Sequence, residues 1–305
     1  MQLTQLAEEF RALGYAAAEE ESMAAHTSFK IGGPADLFVT VPDGPSASAV
    51  LARCHAAGVP VMVMGNGTNL LVSDAGIEGV VLKIETEVLP FLSGESDVIC
   101  PAGLPVKKLC LFAREHELSG LEFAFGIPGA VGGGVYMNAG AYGGQMSDVL
   151  TGVRVVTRSG ETRDLAAAEL ELGYRRSVLM ETGDVVVEAR FHLTPDKRED
   201  IAARMEDFLS RRRDKQPLEY PSAGSFFKRP PGHFAGTLIE SCGLKGARVG
   251  GAQISEKHAG FLINAGGATC TDVLRLSELV QKTVLDASGV RLEPEVRPVG
   301  RGMSC

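Results

Sequence analysis

Eighteen consecutive residues, 126–143 (GIPGAVGGGVYMNAGAYG), carry seven glycines. So many positions without a Cβ let the backbone turn left-handed and approach a bulky ligand closely. Successive N–H groups in such turns can cradle a diphosphate. Tight turns between strands would use the same composition. A second turn, 65–70 (GNGTNL), follows the apolar run 59–64 (VPVMVM), which reads as a strand. Two Gly/Asn loops of this kind in one half of a chain favour a dinucleotide site over plain turns.

The remaining composition removes several function classes. A chain of 305 residues has room for two or three modest domains. Its net charge of −8 argues against non-specific nucleic-acid binding. Residues 1–10 (MQLTQLAEEF) read as an acidic amphipathic helix and not as a signal peptide. No apolar run has the length of a membrane span, so a soluble, cytoplasmic protein is expected. Cys54, Cys100, Cys110, Cys242, Cys270 and Cys305 include no Cys-x-x-Cys pair, which suits reduced thiols better than disulfides or zinc. His116 and Glu117 open like a zincin helix but the second histidine is missing, and no metal site is expected. Neither a Walker loop nor a Gly-x-Ser-x-Gly elbow occurs.

Hydrophobic spacing gives the elements. Leu3, Leu6, Ala7, Phe10 and Leu13 follow helical spacing up to a stop at Gly14. A strand at 36–41, a helix at 46–57 and the strand at 59–64 form a β-α-β unit, with a further strand at 79–84. Next come a strand near 97–100 and a helix from Pro105 to Glu117, proline being well tolerated in a first turn. Strands are expected at 153–157 and 185–193, with a short Ala/Glu/Leu helix at 165–172 between them. A charged helix at 196–213 has Ile201, Met205, Phe208 and Leu209 on one face. Its Arg211, Arg212 and Arg213 read as dipole-favoured surface near a helix C-terminus. Val273, Leu276, Val280 and Val284 form the buried stripe of a last helix at 271–287. The boundaries are a first subdomain at 1–80, a second at 81–195 and a C-terminal domain at 196–305.

Three further fragments can carry chemistry: 173–177 (GYRRS), 222–230 (SAGSFFKRP) and 292–297 (LEPEVR). Singly each has a plain reading, with Arg175 a surface cation, Ser225 a turn hydroxyl and Glu295 a solvated carboxylate. The order of motifs says more. His26 to Gly33, the Gly65 turn, the Gly126 loop, Tyr174–Arg175, Ala223 to Phe227 and Pro294 to Val296 together resemble the UDP-N-acetylenolpyruvoylglucosamine reductase family. The resemblance runs from about residue 22 to residue 300.

The resemblance implies an α+β fold: a PCMH/vanillyl-alcohol-oxidase-type FAD-binding fold of two subdomains, plus a C-terminal α+β substrate-binding domain. It implies non-covalent FAD, with NADPH as hydride donor. Carried across, Gly65, Asn66, Gly67, Thr68, Asn69 and Leu70 would line the FAD site together with Gly126, Ile127, Pro128, Gly129, Gly132 and Gly133. Asn138, Gly140 and Ala141 would lie close by. The implied reaction reduces the enolpyruvyl ether of UDP-N-acetylglucosamine to UDP-N-acetylmuramate, a step of peptidoglycan precursor synthesis. No obligatory protein partner is evident.

The chemistry of the carried-over residues suits that reaction. Arg175 offers a permanent bidentate cation for the substrate carboxylate. Glu295 would be a protonated donor to the developing enolate, a form that desolvation favours. Ser225 would give its proton to the enolate carbon, relayed by Lys228 or water. Tyr142, Lys215, Lys245 and His258 are the implied substrate anchors. The interval from Arg175 to Lys215 is too short for the extra tyrosine loop of some members, so the chain resembles a shorter branch. A second reading is another FAD-dependent oxidoreductase of this fold, acting on an alcohol or sugar. It would have no reason to pair Ser225 with Arg175 and Glu295. A third, a non-catalytic nucleotide-binding protein, would not need any of the three.

Overall fold

The computed structural model describes residues 2–303, so Cys305 lies outside the described residues. Within it the chain forms two compact units. The first comprises residues 2–19, 37–66 and 79–212; the second comprises residues 20–36, 67–78 and 213–303.

The first unit begins with helix Gln2–Ala12, which buries Leu6, Ala7 and Phe10. It ends where Gly14 takes a φ of 84° that favours glycine; Leu13, expected on the apolar stripe, is exposed. The expected β-α-β unit is present as strand Pro34–Val41, helix Gly44–Ala56 and strand Val61–Met64. Asp43 caps that helix by accepting from Ser46 N at 2.9 Å. The sheet order is Ala16–Ser22, Pro34–Val41, Ile77–Ile84, Val61–Met64, and the last two strands pair in parallel. Ala47, Val50, Leu51 and Cys54 of the helix pack with Leu37, Val39, Val41, Val80 and Leu82.

A second sheet in this unit is antiparallel, in the order Thr162–Ala166, Leu150–Val156, Val185–His192, Asp97–Pro101, Phe91–Leu92. One element differs from the sequence expectation. The short helix expected at 165–172 is present only as the 3-10 helix Ala167–Leu170, because strand Thr162–Ala166 takes its first two residues. Ladder bonds of Leu165 and Ala166 to Leu150–Val156 override their weak local helix preference. Glu171, with φ 47°, then reverses the chain. Helix Val106–Glu115 starts just after Pro105, as expected.

The second unit is built on the antiparallel order Ser222–Ser225, Phe261–Asn264, Ala252–Ile254, Arg248–Val249. Helix Cys270–Ser288 covers it with Val273, Leu276, Val280 and Val284, all fully buried at the expected spacing. Thr269 and Asp272 form a capping box at its start, and Gly289, with φ 70°, ends it. Asp74 strengthens this cap by accepting from Cys270 N and Thr271 N at 2.7 and 3.0 Å. Truncating Leu276 to alanine is expected to destabilise the unit by roughly 2–5 kcal/mol, read as a lower urea midpoint. No helix among the described residues is long and apolar enough to cross a membrane.

Candidate active site

In the first unit Gly65, which opens the shorter glycine turn, meets the longer loop. A Cβ on Gly65 would stand 3.2 Å from the Ala130 Cβ, so the backbone after strand Val61–Met64 lies close to the longer loop and a side chain at residue 65 would crowd it. The longer loop is stitched to its surroundings by its own amides. Val131 N donates to Leu104 O and Gly132 N to Ala102 O, at 2.9 and 2.8 Å, while Gly129 O accepts from Val106 N. The amide of Gly132 is thus committed within the protein. Gly133, in the first turn of helix Val131–Tyr136, has nothing within 4 Å of its Cβ position. Its N–H belongs to the set that finds no acceptor inside a helix. A close, donor-bearing backbone with open space above it fits a diphosphate-bearing group such as FAD.

Asn138 is buried and shapes the next turn rather than facing solvent. Its Nδ2 donates to Gly173 O at 3.1 Å and its Oδ1 accepts from Ser147 N at 2.9 Å. It therefore fixes the tight turn in which Gly173 and Arg176 exchange both backbone bonds, with Tyr174 and Arg175 at the tip. Asn138→Ala is expected to cost roughly 1–3 kcal/mol by stranding these groups, measured as a shift in the urea midpoint.

Arg175 has φ 55°, a left-handed conformation that an arginine does not take freely. Its fork reaches Asn138 O and Gly140 O at 3.4 and 3.3 Å, and its guanidinium lies 5.1 Å from the Tyr174 ring centroid. The guanidinium is therefore held against the Gly-rich loop. Gly140 and Ala141 pair with Gly144 and Gln145 in a short hairpin whose tip is Tyr142.

The second unit carries Ser225 and Glu295, and a shared backbone ladder brings them together. Glu295 N donates to Phe226 O at 2.8 Å, Lys228 N donates to Glu293 O at 2.8 Å, and Phe227 bridges Pro294. Register shifts between Ser222 and Ser225, with Gly224 at φ 80°; this bulge re-aims Ser225, which is exposed. Asn69 holds the other side of Glu295: its Nδ2 donates to Glu295 O at 3.0 Å and its own carbonyl accepts from Arg297 N. Leu70 then starts the strand Leu70–Val72, which pairs in parallel with Arg297–Val299. Gly67, with φ 62°, accepts from Ser28 N. Lys228 makes its ion pair with Glu293 at 3.5 Å.

Lys215, Lys245 and His258 also fall in this unit, and both lysines act electrostatically on the histidine. Burial holds the His258 imidazolium below the usual range, and the charges of Lys245 and Lys215 push the same way. Its Nδ1 accepts from Gly260 N at 3.1 Å, which leaves the proton on Nε2 in the neutral ring. Lys245 pairs with Glu240 at 2.6 Å. A base with a depressed folded pKa binds fewer protons folded than unfolded. Its contribution to stability is therefore present above the unfolded value of about 6.5 and is lost as pH falls through the folded value. His258→Gln should accordingly lose less stability than the parent between about pH 7 and pH 5, measured by urea titration at each pH.

Arg212 is the residue that sequence reasoning placed wrongly. It is not dipole-favoured surface: its Nε is buried without a hydrogen-bond partner, and its guanidinium interacts electrostatically with Tyr142. Only its spacing of four from Phe208 hinted at a shared role. Among the described residues no group of His, Cys, Asp and Glu could hold a metal ion.

The glycine loops of the first unit fall within a flavin-binding class of domain. Residues 35–166 match a family model described as an FAD binding domain. Residues 216–299 match the UDP-N-acetylenolpyruvoylglucosamine reductase C-terminal domain. A UDP-N-acetylenolpyruvoylglucosamine reductase of Lachnoclostridium phytofermentans is 49% identical, over 92% of both chains. One from Listeria monocytogenes serotype 4a is 46% identical, over 92% of this chain and 94% of its own. The crystal structure of the Thermus caldophilus reductase superposes with a TM-score of 0.80 at 36% identity, covering 93% of this chain and 98% of that one. The chain belongs to the UDP-N-acetylenolpyruvoylglucosamine reductase family. Its α+β fold is accordingly the FAD-binding type with a family-specific C-terminal domain.

Proposed function

We propose that this protein reduces the enolpyruvyl ether of UDP-N-acetylglucosamine to UDP-N-acetylmuramate, using NADPH and non-covalent FAD, in the cytoplasm. The observation that carries the reading is the backbone bonding of residues 226–228 to 293–295, which sets Glu295 beside the strand end at Ser225, together with similarity over 92% of the chain to a reductase of that name. The two glycine turns would hold FAD, which would supply hydride-transfer chemistry between NADPH and the methylene carbon of the enol ether.

The protein's part is charge and proton placement. Negative charge moves into the substrate carboxylate as the methylene carbon is reduced. Arg175 binds that carboxylate with its fork, strengthening as charge develops. Glu295, held next to the Ser225 strand by its backbone bond to Phe226 O, is the third member of the catalytic set. Ser225 Oγ then gives a proton to the neighbouring carbon, which completes the saturated ether. The exposed hydroxyl on its bulge suits that task.

Binding uses both glycine turns and several cations. Gly65 to Leu70, Gly126 to Gly129, Gly132, Gly133, Asn138, Gly140 and Ala141 form the FAD-binding set, within which Gly133 offers open backbone and Asn69 and Asn138 act as scaffold. The C-terminal region from 196 to 305 supplies most substrate contacts, with Lys215 and Lys245 for the UDP diphosphate and His258 beside them. Tyr142 completes the anchors. The direct test follows the product: with NADPH and the enolpyruvyl substrate, one NADPH should be consumed for each substrate molecule that gains two hydrogen atoms by mass spectrometry. NADPH consumption with unchanged substrate mass would reject this assignment in favour of another flavin oxidoreductase.

A further inference from the structure

Tyr142 occupies a position that a tyrosine fills only at some conformational cost. It and Gly143 are the two loop residues of the hairpin formed by Gly140–Ala141 and Gly144–Gln145, with φ values of 53° and 91°. Positive φ at both loop positions is the pattern that Asn, Asp and Gly favour. Local preference does not choose this residue, so what the ring touches must.

The ring is gripped from one helix. Phe208 stacks on it with centroids 4.7 Å apart and planes within 2°. Arg212, one turn further along helix Arg198–Lys215, interacts electrostatically with the same tyrosine. Residues four apart lie on one helix face, so a single face presents both the stacking ring and the cation to Tyr142. On the same helix Arg211 lies 5.9 Å from the Phe208 centroid and pairs with Asp207. Arg212 is seated on Gly126: a Cβ there would come within 3.0 Å of Nε and 3.1 Å of Cδ. That contact explains how Nε can be buried with no partner. It also gives Gly126 a role of its own, as the floor beneath the guanidinium.

We propose that Phe208 and Arg212 are positioning residues that hold Tyr142 in a preformed orientation for the nucleoside diphosphate sugar. The inference rests on the proposed function, which supplies the substrate. A preorganised ring spares the substrate the ordering of a mobile side chain on binding. The clamp therefore governs substrate affinity and leaves the chemical step alone.

The test is a double-mutant cycle on the KM for the enolpyruvyl substrate. Phe208→Leu and Arg212→Lys are each expected to raise that KM roughly three- to tenfold, with kcat within about twofold. Phe208→Tyr, which keeps the ring, should restore the parent KM. In a Tyr142→Ala background neither Phe208→Leu nor Arg212→Lys should raise KM further. Equal KM increases with and without Tyr142, or losses confined to kcat, would overturn the clamp. If the Phe208 variants do not fold, the Arg212→Lys arm decides alone. A parent enzyme that never turns over the enolpyruvyl substrate would overturn the proposed function; a parent that does, without coupling in the cycle, overturns only the clamp.

Discussion

Ser225→Ala is expected to split the catalytic cycle. Flavin reduction by NADPH should proceed within about twofold of the parent rate, since no proton from residue 225 enters that half. Reoxidation by the enolpyruvyl substrate should slow by roughly 10²–10⁴, the usual worth of a positioned acid. The geometry makes the variant clean. Ser225 sits on a bulge, exposed, with its neighbours Ala223, Phe226 and Phe227 carrying the burial. Removing one exposed hydroxyl leaves the Phe226–Glu295 backbone bond in place. Stopped-flow absorbance under anaerobic conditions reads both halves separately. Equal slowing of both would show that Ser225 acts through the fold or the flavin instead.

The second large effect belongs to Arg175. Loss of a donor aimed at charge that develops in the transition state costs about 10²–10³ in rate, and Arg175→Gly should reach at least that in the substrate half-reaction. Its stability should behave differently. The φ of 55° suits glycine, so the substitution relieves strain worth about 1–2 kcal/mol. It also gives up two long bonds to Asn138 O and Gly140 O and the contact with Tyr174. These losses oppose the relief, and the urea midpoint should change little. A folded, FAD-loaded, inactive variant is the expected outcome. An active variant would remove Arg175 from the mechanism; an unfolded one would make its role structural.

How much of this was legible in the sequence depended on the range of the interactions. The helix bearing Val273, Leu276, Val280 and Val284 was readable because its period and its Gly289 stop are local. The two glycine turns were readable because their composition is extreme, and their close approach at Gly65 and Ala130 follows from it. The helix expected at 165–172 shrinks to the 3-10 helix Ala167–Leu170 because Leu165 and Ala166 pair with Leu150–Val156, a contact that composition does not reveal. Asn69 is a stronger case: its amide reaches the Glu295 carbonyl across 226 positions. Composition suggested a ligand contact and could not show that bond. Arg212 was hidden for the same reason, since Gly126 and Tyr142 are distant in sequence and only folding sets them around it.

The candidate residues themselves were found by motif order, but their division of labour comes from the structure. Asn138 looked like one more loop residue beside a cofactor. Buried, with its side chain committed to Gly173 and Ser147, it is what shapes the Arg175 turn. Lys215, Lys245 and His258 are 43 positions apart at most (258 minus 215), yet their electrostatic coupling emerges only from the fold.

The central claim is that one protein-bound flavin is reduced by NADPH and reoxidised by the enolpyruvyl substrate. The most direct measurement follows the flavin absorption band of the purified protein without oxygen through two successive additions. Bleaching by NADPH, then full recovery on adding UDP-N-acetylglucosamine enolpyruvate, is the predicted result. Bleaching that persists after the substrate is added would contradict the account and point to a different oxidant at this site.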